Sequence, residues 1–209
     1  MTTAARRSLR EPGAGSPKGR VVRRTLAALD AAAVPWLLLR DADAIEAGGG
    51  DVDLLVPPAS MQRLTNVLHA RGFVRLPTLG RGSHAAFLGL DPDLGEFRRL
   101  DVVTRLEYGP WFELGIPVET AVLLRRRRVE GLWQAAPADA FWTLLLHSLL
   151  DKRSVSSPHR VALAELVSGA EPAPDWDSML PAEIRERVIG GVRAGDWSIG
   201  RPSISIRSR

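Results

Sequence analysis

The sequence has no cysteine, so it offers neither a disulfide framework nor a thiolate site. It also lacks any apolar run near the roughly 20 residues that a membrane-spanning helix needs. The N-terminal segment carries charge, proline and glycine but no apolar stretch of the secretory type. These absences argue against a disulfide-stapled or membrane-spanning protein, and we expect a cytoplasmic one.

Lysine is nearly absent: the sequence contains 26 arginines and two lysines. The formal net charge is +4. A basic chain is typical of nucleic-acid binding, but a preference for arginine over lysine also arises from coding bias alone. The densest basic run, Arg125 to Arg128, is either a solvated helix end or a patch for a polyanionic acceptor. The charge therefore leaves nucleic-acid binding open without favouring it.

Hydrophobic residues make up 45% of the 209 residues, which predicts a globular chain with one sizeable core. We predict four regions along the chain. They are a flexible leader over 1–18, an α/β core over 19–134, a helical region over 135–195 and a basic tail over 196–209. The helical region is expected to pack on the core as a second layer.

The spacing of apolar residues predicts an α/β fold with a mixed sheet flanked by helices. Helices are predicted over 19–34, 59–71, 117–127, 138–152, 158–168 and 180–194. Strands are predicted over 36–39, 51–56, 73–76, 84–90 and 97–106. The elements do not alternate as β-α-β, so the sheet is mixed rather than parallel. Trp176 lies between the last two predicted helices and Trp197 follows the last one, and the pattern leaves open whether they cover the core or mark a partner surface.

Residues 47–56 read AGGGDVDLLV, which places two acids at the start of a strand directly after three glycines. Side chains two apart in a strand leave the same face about 6–7 Å apart, so Asp51 and Asp53 point together. Two neighbouring carboxylates repel each other and resist ionisation. A divalent cation such as Mg²⁺ removes that conflict, while a solvated turn pair is the structural alternative.

A third acid, Asp101, lies in FRRLDVVTRL between apolar neighbours in another predicted strand. A carboxylate inside an apolar run is costly unless it is paired or holds a metal. Three acids on two strands suit a one- or two-metal site for phosphoryl transfer. Ser83 and His84 follow a glycine-containing turn, and nothing in the pattern places them at a site.

These motifs resemble the nucleotidyltransferase superfamily of the DNA polymerase β type. The resemblance rests on LLLRDADAIEAGGGDVDLLV, on the later strand with Asp101, and on RRRRVEGLWQAAPADAFWTLLLHSLLDKR. The same segments are similar to a compact bacterial branch of nucleotidyltransferase family proteins. The resemblance covers residues 20 to about 155 and implies a nucleotidyltransferase-type core.

The resemblance also implies a chemistry. It implies a nucleoside triphosphate such as ATP as donor, two Mg²⁺ ions (or Mn²⁺), and nucleotidyl transfer to an acceptor hydroxyl. Asp51 and Asp53 would be metal ligands, and Asp101 would be the third acid and the general base. Lys152 would lie on the active-site side, or it is a cation at a helix C-terminus. The acceptor could be a sugar, another small molecule, a peptide, a protein or a tRNA end.

One departure concerns the phosphates. The superfamily usually places Gly-Gly or Gly-Ser at the end of the first strand, where this sequence has Arg40 and Asp41. Arg40 either holds phosphate through charge-assisted hydrogen bonds or pairs with an acid. Gly49 and Gly50 lie beside the acids instead, where glycine lets a nucleotide approach the backbone closely.

Two alternatives of other classes stay open. The first is a non-catalytic relative that binds nucleotide or a partner protein, which the Arg40-Asp41 pair favours. The second is an RNA-directed enzyme or binder that uses the basic run and the tails.

Overall fold

A computed structural model gives the fold of the chain. It describes residues 19–40, 42, 45, 51–77, 82–92, 94–171, 174–178 and 181–200. The predicted leader over 1–18 and the tail beyond residue 200 lie outside the described residues. None of the described helices is both long and apolar enough to cross a membrane.

Within the described ranges, seven strands form one mixed sheet. In chain order the strands are β1 Leu37–Leu38, β2 Val52–Leu55, β3 Phe73–Arg75, β4 Ala85–Asp91, β5 Glu96–Val103, β8 Arg127–Val129 and β9 Leu132–Gln134. Across the sheet they lie in the order β3-β4-β5-β2-β1-β9-β8. The pairs β2–β5 and β1–β9 are parallel, and the other pairs are antiparallel. A separate hairpin joins β6 Leu106–Tyr108 to β7 Leu114–Ile116.

Helices cover the two faces of the sheet. They are α1 Arg20–Ala31, α2 Met61–Ala70, α3 Glu119–Arg125, α4 Pro137–Leu146, α5 Ser157–Leu166, the short α6 Pro174–Asp177 and α7 Ala182–Ala194. Pro137 occupies the first turn of α4, where its missing N–H costs nothing. A π-helical turn, His147–Asp151, continues α4.

The alternation of side chains along the strands separates two cores. On one face, Leu54 and Val102 pack with Leu26 of α1 and Leu64 of α2. On the other face, Leu55 and Val103 pack with residues of α4 and α7, namely Phe141, Trp142, Leu145, Val188 and Val192. The C-terminal helices therefore cover the sheet on the side opposite α1 and α2.

A buried carboxylate ties the C-terminal layer together. Asp139, 1% exposed, accepts hydrogen bonds from Arg125 and from the indole N–H of Trp176. Arg125 also pairs with Asp175, and these carboxylates raise the pKa of its guanidinium against the opposing effect of burial. Trp176 is fully buried. Of the two roles left open for it, the structure shows that Trp176 covers the core.

The predicted α/β fold with a mixed sheet and a C-terminal helical layer is confirmed. Several elements differ from the prediction. The helix expected over 138–152 ends its regular part at Leu146, because the π-turn follows. The helix predicted over 117–127 ends at Arg125, because Arg127 begins the hairpin β8–β9, which joins the main sheet through Leu38 and Gln134.

Candidate active site

Asp53 and Asp101 are neighbours on two parallel strands. Asp53 on β2 is in register with Asp101 on β5, between the pairs Val52–Leu100 and Leu54–Val102. Side chains in register leave the same face of a sheet from strands about 4.8 Å apart. The two carboxylates therefore emerge side by side, which the sequence could not give because it does not specify strand partners.

The local sequence fixes which way these acids point. Val52 and Leu54 flank Asp53, and all the flanking residues on both strands are buried against α1 and α2. Because alternate side chains leave opposite faces, both acids face away from that core. Asp51 lies just before β2, two residues before Asp53, so its side chain points toward the same face of the sheet.

Arg40 binds Asp53. It follows β1, and its Nε and Nη2 donate to one carboxylate oxygen of Asp53 at 3.2 and 2.7 Å. Both side chains are largely buried, with 16% and 18% exposed. The structure thus uses Arg40 to neutralise an acid, one of the two roles that the sequence left open.

Asp51 has an arginine partner as well. Arg99 on β5 reaches Asp51 with 3.1 Å between Nη1 and Oδ2, and each side chain is a little under half exposed. Arg99 lies two residues before Asp101 on the same strand and therefore on the same face. Its position gave no signal in the sequence, because an arginine near the start of a strand is common on solvated surfaces.

His84 completes the set of basic partners. Its Nδ1 lies 3.3 and 3.4 Å from the two carboxylate oxygens of Asp101. Burial of Asp101 raises its pKa. The hydrogen bond and charge of His84, with the charges of Arg99 and Arg40, outweigh that effect, and the pKa lies below its ordinary value. Asp101 is therefore ionised at neutral pH.

Phe112 holds the His84 ring. The two ring centroids are 4.4 Å apart with a 31° angle between the planes. Phe112 has a φ of 56°, a left-handed backbone that costs an ordinary residue about 1 kcal/mol. Gly82 packs so closely that a Cβ there would lie 3.0 Å from the Phe112 ring. A tight turn and a strained residue thus position the imidazole beside Asp101.

A second group of polar residues lies within electrostatic reach of Arg40. The Tyr108 side chain is buried, and its hydroxyl has no hydrogen-bond partner in the described part of the chain. Burial raises the pKa of Tyr108, the charge of Arg40 lowers it, and the charges of Asp151 and Glu119 raise it. Asp151 accepts from the Gly109 amide at 2.7 Å. This group joins the π-turn to the region of the acids.

Lys152 lies exposed at the end of that π-turn. Within the described ranges, no hydrogen bond or ion pair joins it to Asp51, Asp53 or Asp101. Gly49 and Gly50, the other expected nucleotide contacts, lie outside the described residues. Of the predicted site residues, the structure brings together Arg40 and the three acids.

The arginine run is largely engaged in internal contacts. Arg125 pairs with Asp139 and Asp175, and Arg128 pairs with Asp30. Arg126 lies over the Trp133 ring at 4.7 Å, and its Nη1 donates to a backbone carbonyl of α3. These contacts attach α3 and β8 to their neighbours, so three of the four arginines have a structural role.

The three acids offer hard oxygen donors, the type that Mg²⁺ prefers. Each carboxylate is bonded to a basic side chain in this structure. Among the residues that the structure describes, no group of three or more metal-ligating side chains is arranged to hold an ion. The donor chemistry fits the ion, and binding it requires the basic partners to give way.

Comparisons with known proteins add two similar structures. The chain is similar to the antibiotic-resistance factor ANT(2'')-Ia, at 16% identity and a TM-score of 0.47 over 83% of this chain and 94% of that one. It is also similar to JHP933 from Helicobacter pylori, at 14% identity and a TM-score of 0.45 over 88% of this chain and 82% of that one. No protein-family model and no curated protein matches the sequence. Neither similarity is high enough to indicate a function.

Proposed function

We propose that this protein is a magnesium-dependent nucleotidyltransferase, which moves a nucleoside monophosphate from a nucleoside triphosphate to an acceptor hydroxyl and releases pyrophosphate. The observation that carries the proposal is the register of Asp53 with Asp101, with Asp51 two residues before Asp53. Adjacent carboxylates repel each other, so their placement side by side on one face favours a role in binding positive charge.

The charges of the site complement a metal–nucleotide complex. Three acids are paired with three basic side chains, Arg40, Arg99 and His84. A complex of divalent ion and triphosphate carries both signs of charge. It can replace these ion pairs without leaving a charge unpaired, because the acids then face the ion and the arginines face the phosphates.

When bound, Mg²⁺ (or Mn²⁺) would be held by Asp51, Asp53 and Asp101 and would supply positive charge at the reacting phosphates. Arg40 and Arg99 orient the triphosphate through charge-assisted hydrogen bonds. Asp101, held in place by His84, accepts the proton of the acceptor hydroxyl. The acceptor oxygen then bonds to the α-phosphorus as the bond to the β-phosphate breaks. The acceptor is a sugar, another small molecule, a peptide or a protein.

The test combines binding with turnover. The wild type, Asp53→Asn and the control Glu186→Gln, an exposed acid on α7, are titrated with each nucleoside triphosphate with and without Mg²⁺ by calorimetry. Pyrophosphate release is then followed with a panel of hydroxyl acceptors. We expect Asp53→Asn to lose at least about 100-fold in turnover and the control to keep it. Absence of nucleotide binding in the wild type would overturn the proposal.

A second candidate is a non-catalytic protein of this fold that binds nucleotide or a partner. The observation in its favour is that the basic partner of each acid already satisfies its charge. Nucleotide binding without pyrophosphate release across the whole acceptor panel would support it. The RNA-directed alternative is not favoured, since most of the arginine run makes internal contacts.

A further inference from the structure

The acid-bearing face of the sheet continues into an apolar surface on β3, β4 and β5. The register pairs Val74 with Leu88 and Leu90 with Phe97, and it pairs Leu88 with Arg99 and Ala86 with Asp101. Because paired residues share a face, the four apolar side chains lie on the same face as Asp101. We call the set of Val74, Leu88, Leu90 and Phe97 the apolar platform.

Three of the four platform side chains are exposed, and Leu88 is partly buried. Val74 is 63% exposed, Leu90 51% and Phe97 66%, which places all three among the most exposed large apolar side chains. The opposite face of the same strands is buried against α2, through Phe73 and Phe87. An antiparallel sheet with one solvated face normally carries polar residues there. A contiguous apolar patch on that face therefore indicates a binding surface.

The platform leads directly to the acids. Phe97, Arg99 and Asp101 alternate along β5 on one face, so Phe97 lies about 13 Å from Asp101. Arg99 stands between them and opposite Leu88. A small molecule bound on the platform can thus extend past Arg99 and place one end at Asp101.

The size of the platform indicates whether it binds a second copy of the chain or a small molecule. A stable dimer buries about 800 Å² on each partner, with roughly 20–30 residues a side. Four side chains are too few for that, whereas small-molecule sites combine apolar surface with a few polar groups at one end. Here Arg99 and Asp101 are those polar groups. The small number of apolar side chains and their position next to the acids therefore favour a small molecule over a second copy.

We propose that the apolar platform binds the acceptor, and that the acceptor is a small molecule with an apolar body and a hydroxyl group at one end. The proposal rests on the proposed function, since it assigns the acceptor class for the same reaction. Phe97 and Leu90 contact the apolar body, and the hydroxyl reaches Asp101.

The first experiment measures turnover. Pyrophosphate release with Mg²⁺ and nucleoside triphosphate is followed with glycerol, 1-hexanol and 2-phenylethanol as acceptors. We expect kcat/KM for the two apolar alcohols to exceed that for glycerol at least tenfold. Phe97→Ser should raise the KM for 2-phenylethanol about tenfold or more, because it removes a contact of phenyl size. The control Val161→Ser, an equally exposed apolar residue on α5, should leave that KM unchanged.

The second experiment does not depend on turnover. Binding of 2-phenylethanol to the full chain is measured by saturation-transfer NMR, and the oligomeric state by sedimentation velocity. We expect a signal in the wild type and in Val161→Ser that is lost in Phe97→Ser, with all three monomeric. An equal signal in Phe97→Ser, no signal in the wild type, or a dimer that dissociates in Phe97→Ser would overturn the proposal.

The two proposals fail separately. If nucleotide does not bind, the proposed function fails, and the NMR experiment still decides whether the platform takes a small apolar molecule. If nucleotide binds and glycerol serves as well as the apolar alcohols, the acceptor assignment fails and nucleotidyl transfer stands.

Discussion

Arg99 and Asp51 form an ion pair with 3.1 Å between Nη1 and Oδ2, one residue before the paired positions Val52 and Leu100 of the parallel strands. Both side chains are partly solvated, so the pair is easily broken. Arg99 therefore competes with any cation for Asp51, and under the proposed function it would also bind phosphate.

Arg99→Ala should separate these two effects. The affinity for Mn²⁺ alone should rise about two- to fivefold, because an exposed ion pair contributes about 0.2–1 kcal/mol. The affinity for nucleotide in the presence of Mg²⁺ should fall about tenfold, because a charge-assisted hydrogen bond is lost. Calorimetry measures both, with the exposed Arg187→Ala on α7 as control. A fall in affinity for Mn²⁺ would contradict the competition.

The arginine run offers a matched pair of variants for stability. Arg125→Ala leaves Asp139 buried without its cation and should lower the free energy of unfolding by about 2–4 kcal/mol, discounted for the partial exposure of Arg125. Arg127→Ala removes an exposed side chain and should change it by less than about 0.5 kcal/mol. Urea unfolding measures both. Equal effects would show that the buried carboxylate does not depend on Arg125.

Tyr108→Phe removes a buried hydroxyl that has no hydrogen-bond partner among the described residues. Since an unpaired polar group retains its desolvation cost, the variant should be as stable as the wild type or more stable by about 1 kcal/mol. Thermal unfolding measures the change. A loss of more than about 1 kcal/mol would mean that the hydroxyl is hydrogen-bonded in solution.

The lowered pKa of Asp101 predicts a dependence of stability on pH. The folded state holds the ionised form more strongly than the unfolded state, where the pKa is about 3.9. This stabilisation is present above that value and is lost as pH falls through the folded pKa. The stability advantage of the wild type over Asp101→Asn should therefore shrink as the pH falls below about 4. Urea unfolding at several pH values measures it, and a constant advantage would contradict the shift.

The sequence predicts a feature of the structure where residues close together in the chain determine it. Asp53 and Asp101 stood out because an acid between apolar residues in a strand is costly unless it is paired. Pro137 and the apolar stripe of α4 marked a buried helix, and the structure places it there. In each case the signal lies within a few residues of the feature.

The partners of the acids were not predictable, because they depend on which strands pair. Arg99 and His84 reach Asp51 and Asp101 only through the β2–β5 and β4–β5 registers. The arginine run looked like a surface patch because its partners, Asp30 and Asp175, lie far away in the chain. The exposure of the platform side chains depends on where the C-terminal helices pack. No local pattern in the sequence specifies that position.

The parallel pairing of β2 with β5 also has a consequence for how the chain folds. Asp53 and Asp101 are separated by 48 positions, and no hairpin can join parallel strands. Loop-closure entropy opposes this contact, whereas the β4–β5 hairpin closes locally. We therefore expect the β4–β5 hairpin, which brings His84 close to Asp101, to form before β2 pairs with β5. On this expectation, the cluster of acids is completed late in folding.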